Sequence, residues 1–255
     1  MPVDHLIGGA VAEIVLNKPD KLNALDRADL DSISDGLDRA VADGARAVLI
    51  RAEGRAFCAG RDITTMEPGE DPVQLLRSAF NVLVLKIHGL PIPTVSAVQG
   101  ACMGAGTGIA LACDVTVVSD DARIGSPFGR LGAVPDSGFH WFVTTRLGPA
   151  VARDLVLTGR VLDGPEAVRL GLAARCVGRA DLHTEARTLA DTVAAGPTTA
   201  FRLSMELIDA VARGASLAET LDKEASSQGV AFATADFGEG LSAFREKREP
   251  RFDGI

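Results

Sequence analysis

The sequence predicts an α/β fold, and three observations carry that expectation. Short β-branched runs alternate with helical periods through the first two-thirds of the chain. Each run is closed by Gly, Pro, Asp or Asn. Apolar residues make up 47% and charged residues 24%, with ten Phe, one Trp and no Tyr, so the core rests on Ala, Val, Leu and Ile.

The elements follow in order. Val11–Asn17 alternates Val, Glu and Val with Ala, Ile and Leu, the period of a strand. Arg27–Asp43 has helical spacing, and Arg46–Arg51 carries the strand-like Ala-Val-Leu-Ile. Pro72–His88 reads as a helix, Thr94–Val98 as a strand, Ala105–Cys113 as a short buried helix and Val115–Val118 as a strand. After about Asp136 helices dominate, with a late strand at Leu172–Val177. Asp163 before Gly164-Pro165-Glu166 is a helix start with a capping Asp. Pro197 opens another helix after Gly196, and Phe201, Met205, Ile208, Val211 and Ala212 recur at helical spacing within it. The 255 residues thus divide into an α/β core, 1–195, and a helical C-terminal region, 196–255, which packs on the core or on a neighbouring subunit.

Several classes are excluded. A net charge of −8 argues against a nucleic-acid binder, which needs a basic face against phosphates. No apolar run reaches the length of a membrane span. The start, Met1-Pro2-Val3-Asp4-His5, lacks the order of a signal peptide. Cys58, Cys102, Cys113 and Cys176 are scattered, without a Cys-x-x-Cys pair, and the histidines lie far apart. Reduced thiols in a cytoplasmic protein, and no metal site, are expected.

Three loops could carry chemistry. Phe57-Cys58-Ala59-Gly60-Arg61-Asp62 follows a strand; it is either an ordinary turn or a place where backbone approaches a ligand. Gln99 to Gly108 holds glycines at 100, 104, 106 and 108 and runs into a buried helix. The N-terminus of such a helix presents free N–H groups, suited to a phosphate or an oxyanion. A dinucleotide fingerprint is disfavoured: the spacing is Gly-x-Gly-x-Gly, the helix is short for a crossover, and the motif lies mid-chain. In the third loop, Gly125 to Gly138, Asp136 precedes a helix; it is either an N-cap or an acid/base.

Taken together, these motifs resemble the crotonase family, the enoyl-CoA hydratase/isomerase superfamily. Leu16-Asn17-Lys18-Pro19-Asp20-Lys21-Leu22-Asn23-Ala24-Leu25 is similar to the family's N-R-P-x-x-x-N-A-L, and Phe57–Asp62 to its F-x-A-G-x-D. Val95 to Val115 matches the glycine signature, with Ala105 for the central Gly. The C-terminal run from Glu239-Gly240 through Phe244 to Glu246-Lys247-Arg248-Glu249-Pro250-Arg251-Phe252 matches too.

The resemblance implies a spiral of ββα turns with a helical C-terminal trimerisation region, a trimer or dimer of trimers, and an acyl-CoA substrate with no further cofactor. It implies an oxyanion hole from the N–H groups of Ala59 and Ala105. Coenzyme A contacts are implied at Lys21, Leu22, Ala24, Gly60, Arg61, Asp62, Ile63, Phe244 and Lys247, with Arg248 nearby. Met66, Met103, Phe128, Val134 and Trp141 are expected around the acyl group. The two glutamates with which the family's hydratases add water are replaced by Gly108 and Phe128. The run Leu131 to Gly138 looks most like the epoxyphenylacetyl-CoA isomerase branch, in which an Asp at the position of Asp136 is catalytic. The expected activity is therefore enoyl-CoA isomerisation with Asp136 as acid/base. The alternatives are hydratase or other acyl-CoA turnover, or a non-catalytic acyl-CoA-binding oligomer.

Overall fold

The computed structural model describes residues 2–6, 9–62, 64 and 69–254. Its strands are β1 (Val3–Leu6), β2 (Val11–Leu16), β3 (Ala47–Ala52), β4 (Thr94–Val98), β5 (Ala101–Met103), β6 (Val115–Ser119), β7 (Arg123–Gly125), β8 (Leu162–Asp163) and β9 (Arg175–Val177). Its helices are α1 (Arg27–Ala42), α2 (Pro72–Leu75), α3 (Asn81–His88), α4 (Ala105–Ala112), α5 (Phe139–Thr158), α6 (Gly164–Leu170), α7 (Leu182–Ala194), α8 (Thr198–Ala212), α9 (Leu217–Phe232) and α10 (Ala235–Glu246). A π-turn, Leu76–Phe80, joins α2 to α3, so the expected Pro72–His88 helix is present but widened in its middle.

The larger sheet runs β1-β2-β3-β4-β6-β9, parallel from β2 onward, with β1 added antiparallel at one edge. Its register aligns Ile14, Ile50, Ser96 and Thr116. A smaller sheet, β5-β7-β8, stands beside it. Two isolated parallel bridges, Cys58 to Cys102 and Leu25 to Arg61, repeat the pairing of the smaller sheet in the earlier turns. The chain therefore climbs as a spiral: one strand in the large sheet, a short extended piece beside it, then a helix.

Strand β2 is buried along its whole length, as a parallel strand covered on both faces must be. One face carries the main core, where Leu30, Ile33 and Leu37 of α1 meet Ile14, Val48 and Ile50. The other packs on α7, through Leu182, Ala186, Leu189 and Ala190 against Leu49, Val95 and Val117. Helix α1 starts on a capping box: the Asp26 carboxylate accepts from Asp29 N at 3.1 Å, and the Asp29 carboxylate accepts from Asp26 N at 2.9 Å. Asp163 caps α6 as expected, accepting from Glu166 N at 2.8 Å.

Several expectations need correction. The glycine-rich stretch 99–108 is not all bare loop, because it contains β5. The late strand is confined to Arg175–Val177. Helix α5 is broken at Gly148, where φ is +77° before Pro149. Of the two coverings expected for the C-terminal helices, the core of this chain leaves part of the apolar face of α8 open: Ile208 is 60% and Val211 51% exposed. Among the described residues no helix is long and apolar enough to cross a membrane.

Candidate active site

Segment 18–25 is pinned to segment 53–62 by hydrogen bonds. Leu22 and Asn23 both take left-handed φ values, and the Asn23 amide donates to the carbonyls of Glu53 and Ala56 at 2.9 Å each. The Asn23 side-chain oxygen accepts from Lys18 N at 2.7 Å. This folded turn brings Lys21, Leu22 and Ala24 beside Gly60, Arg61 and Asp62. Lys21 Nζ meets the Asp62 carboxylate at 2.9 Å. That contact, followed by Thr64, holds Asp62 well below the ordinary carboxylate range.

The turn also decides which amides face the ligand side. Ala59 N–H donates to the Leu22 carbonyl at 2.9 Å, so the expected first oxyanion donor is already engaged. Leu25 N donates to Gly60 O and Asp62 N to Leu25 O, both at 2.8 Å. In that parallel bridge the groups flanking Arg61 point toward Leu25, so the Arg61 N–H points away from it. Among the described residues it has no backbone acceptor. The Ala59 N–H is thus spent within the fold, and the Arg61 N–H is the one left without a backbone partner among the described residues.

Ala105 is the first residue of α4, after Gly104 as N-cap, so its N–H is one of the helix's unpaired donors. The two loops approach closely: a Cβ on Gly60, where φ is +97°, would lie 3.7 Å from Ala105 N and 2.9 Å from the Met103 carbonyl. Only glycine combines that backbone with that proximity. Arg61, Ala105, Phe128 and Asp136 line one cavity of about 70 Å³, whose apolar wall is Pro72, Leu75, Leu76 and Phe80.

Asp136 is not a side-chain cap. Helix α5 begins at Phe139 with Gly138 as its N-cap, and Asp136 offers only its backbone carbonyl, to Phe139 N at 3.0 Å. Its carboxylate is half-buried in the cavity wall and accepts the Ser137 hydroxyl at 2.9 Å. Burial pushes the carboxyl above its ordinary pKa, against the Ser137 hydrogen bond and the charge of Arg61. The Arg61 guanidinium in turn holds Glu70, with contacts of 2.5 and 2.6 Å.

Gly108 explains how this turn is seated. A Cβ there would lie 2.2 Å from the Ser137 carbonyl oxygen and 2.7 Å from the Ser137 Cβ. The space a side chain at 108 would need is filled by the backbone that carries Asp136.

Other expected residues lie elsewhere. Trp141 does not line the cavity of Asp136. It packs edge-on against His88, with ring centroids 5.3 Å apart, at a separate cavity of about 330 Å³ formed with Asp114, Arg146 and Asp209. Val134 is 75% exposed, and Met103 sits behind Gly60 rather than in the cavity wall. Phe244 is 82% exposed and Lys247 is the C-cap of α10, and neither lines the cavity of Asp136. Arg248 is bound to Glu239 at 2.6 and 2.8 Å. Ile63 and Met66 lie outside the described residues. The apolar wall from Pro72 to Phe80 escaped sequence reading. A helix begun by Pro and rich in Leu has the same signature whether its face meets core or ligand.

The fold and these loops define an acyl-CoA-processing enzyme, and comparison with known proteins agrees. The family model for enoyl-CoA hydratase/isomerase matches residues 7–254. A probable enoyl-CoA hydratase of Rhodobacter capsulatus is 35% identical over 253 residues, covering 99% of this chain and 98% of that one. The 1,2-epoxyphenylacetyl-CoA isomerase of Escherichia coli is 32% identical over 250 residues, covering 96% and 95%. Among solved structures, a putative enoyl-CoA hydratase/isomerase from Mycobacterium abscessus superposes with a TM-score of 0.94 at 32% identity, covering 99% of this chain and 100% of that one. The chain belongs to the enoyl-CoA hydratase/isomerase family and has the crotonase fold.

Proposed function

We propose that this chain isomerises enoyl-CoA thioesters, moving a carbon–carbon double bond through a dienolate. One observation carries the reading: a single carboxylate, Asp136, shares a small apolar cavity with two backbone residues, Arg61 and Ala105, whose N–H groups are placed to donate. The thioester oxygen lies between those two N–H groups. Asp136 takes a proton from C2 of a 3-enoyl chain. The C2–H electrons move into C1–C2, and negative charge gathers on the thioester oxygen. The proton returns at C4 as the double bond settles at C2–C3. Each oxyanion donor is worth about 3 kcal/mol to such an intermediate. Burial raises the affinity of the Asp136 carboxylate for a proton, which suits it to take one from the acyl chain and return it. The same arrangement would serve rearrangement of a strained ring on the acyl group.

Hydration is the second reading, favoured by the names of most relatives, such as the Rhodobacter protein. Against it stand Gly108 and Phe128, which can neither orient water nor supply a proton. Coenzyme A enters only as part of the substrate, held by Lys21, Leu22, Ala24, Gly60, Arg61 and Asp62. The working form is a trimer or a dimer of trimers, in which Phe244 and Lys247 of a neighbouring copy complete that contact. Four free cysteines support a reducing, cytoplasmic setting. The test is to supply 3-enoyl-CoA and 2-enoyl-CoA separately. Conjugation of the first, lost in Asp136→Asn, supports isomerisation; rapid water addition to the second contradicts it.

A further inference from the structure

We infer that Ser137 is a positioning residue for Asp136: its hydroxyl holds Oδ1, leaving Oδ2 as the oxygen that carries the proton. The inference rests on the isomerase reading and deepens it. Three observations converge on Ser137. Its Oγ donates to Asp136 Oδ1 at 2.9 Å, the one side-chain hydrogen bond of that carboxylate among the described residues. Its own side chain is buried, with the residue 2% exposed. Its φ is +52°, a conformation that costs any residue with a Cβ, so glycine would be the easier choice.

The strain is held in place by packing. The Ser137 carbonyl oxygen and Cβ lie where a side chain on Gly108 would stand, so the turn is pressed onto α4. That helix also presents Ala105 N–H at its start. One rigid element thus sets the distance between oxyanion donor and base. With Oδ1 engaged, the carboxylate cannot rotate freely about its last torsion, and Oδ2 remains for the acyl chain. Ser137 itself neither gains nor loses a proton: Oδ2 takes one from C2 and returns it at C4. Among the described residues the charged group facing Asp136 is Arg61, across the cavity, and Arg61 is itself bound to Glu70 at 2.5 Å. A substitution at 137 leaves both in place.

The experiment is the pH dependence of kcat/KM for 3-enoyl-CoA isomerisation in Ser137→Ala and Ser137→Gly, with Asp136→Asn alongside. Loss of the hydroxyl removes a hydrogen bond to the ionised form. The acidic limb should move up by about half to one pH unit in both variants. kcat should fall about tenfold as the carboxylate loses its orientation. Ser137→Gly relieves the positive φ and should melt no lower than Ser137→Ala, which separates a folding defect from a positioning one. Acidic limbs unmoved in both variants, with Asp136→Asn inactive, would overturn the inference alone. An Asp136→Asn variant as active as the native protein would overturn the isomerase reading, and this inference with it.

Discussion

Gly108 and Asp136 are far apart in sequence yet act as one choice. A hydratase of this family carries a glutamate where this chain has Gly108, and here the Ser137 backbone fills that space. Gly108→Glu is therefore expected to cost at least about 2 kcal/mol through overpacking, and to gain no hydration of 2-enoyl-CoA. A thermal melt and a water-addition assay check the two halves of that statement. The pH dependence follows from burial. Since the folded Asp136 ionises above the ordinary carboxylate value, kcat/KM should rise as pH passes through that higher value and be lost below it. A pH–rate profile measures the limb directly, and a limb at or below pH 4, about the ordinary Asp value, would contradict it. The proposed role of Asp136 is one the sequence could suggest, because few residue types move protons and its run resembles an isomerase pattern. The proposed oxyanion donor is not. In Ala59-Gly60-Arg61 only the tertiary bonds to Leu22 and Leu25 decide which amide is engaged inside the fold and which is left without a backbone partner. The resemblance implies Ala59; the pairing engages that amide and leaves Arg61 N–H without a backbone acceptor among the described residues.

At the scale of elements, the helices were easier to read than the short strands. Asp163 marks the start of α6 in the sequence and caps it in the structure. Strands β5 and β7 are three residues each, too short to show alternation. Trp141 fell on the wrong side because spacing along α5 does not tell which cavity a helix face meets. Helix α4 offers a clean test of the proposed oxyanion donor. Ala105 is the first helical residue, a position where proline is tolerated and where no intrahelical bond is lost. Ala105→Pro replaces the N–H with a ring carbon. kcat should fall by about 100-fold or more while the melting temperature holds within a few degrees. A variant that keeps full activity would remove Ala105 from the mechanism.

At the scale of the molecule, the large sheet is covered on both faces within one chain, but the C-terminal helices are not. Leu217 is 75% exposed, and Leu221, Val230, Phe232 and Leu241 are exposed beside it. Apolar surface on this scale marks a contact between proteins. The helical period of α8 was legible; what covers its apolar face was not, since periodicity reports only that a face is apolar. Light scattering across a dilution series should give a mass of three or six chains. Leu217→Glu together with Phe232→Glu should reduce that mass, and, under the proposed role of Phe244 and Lys247 in a neighbouring copy, should weaken coenzyme A binding. A native protein that runs as a monomer would contradict this assembly.

The central claim is that one half-buried carboxylate, facing two backbone donors, moves a proton along an acyl-CoA chain. The most direct measurement is the rate of thioester conjugation from 3-enoyl-CoA, beside the rate of water addition to 2-enoyl-CoA, in the native protein and in Asp136→Asn. The account predicts isomerisation that falls by at least about 100-fold in the variant, with little or no water addition in either. Fast hydration by the native protein, or isomerisation untouched by the substitution, would contradict it.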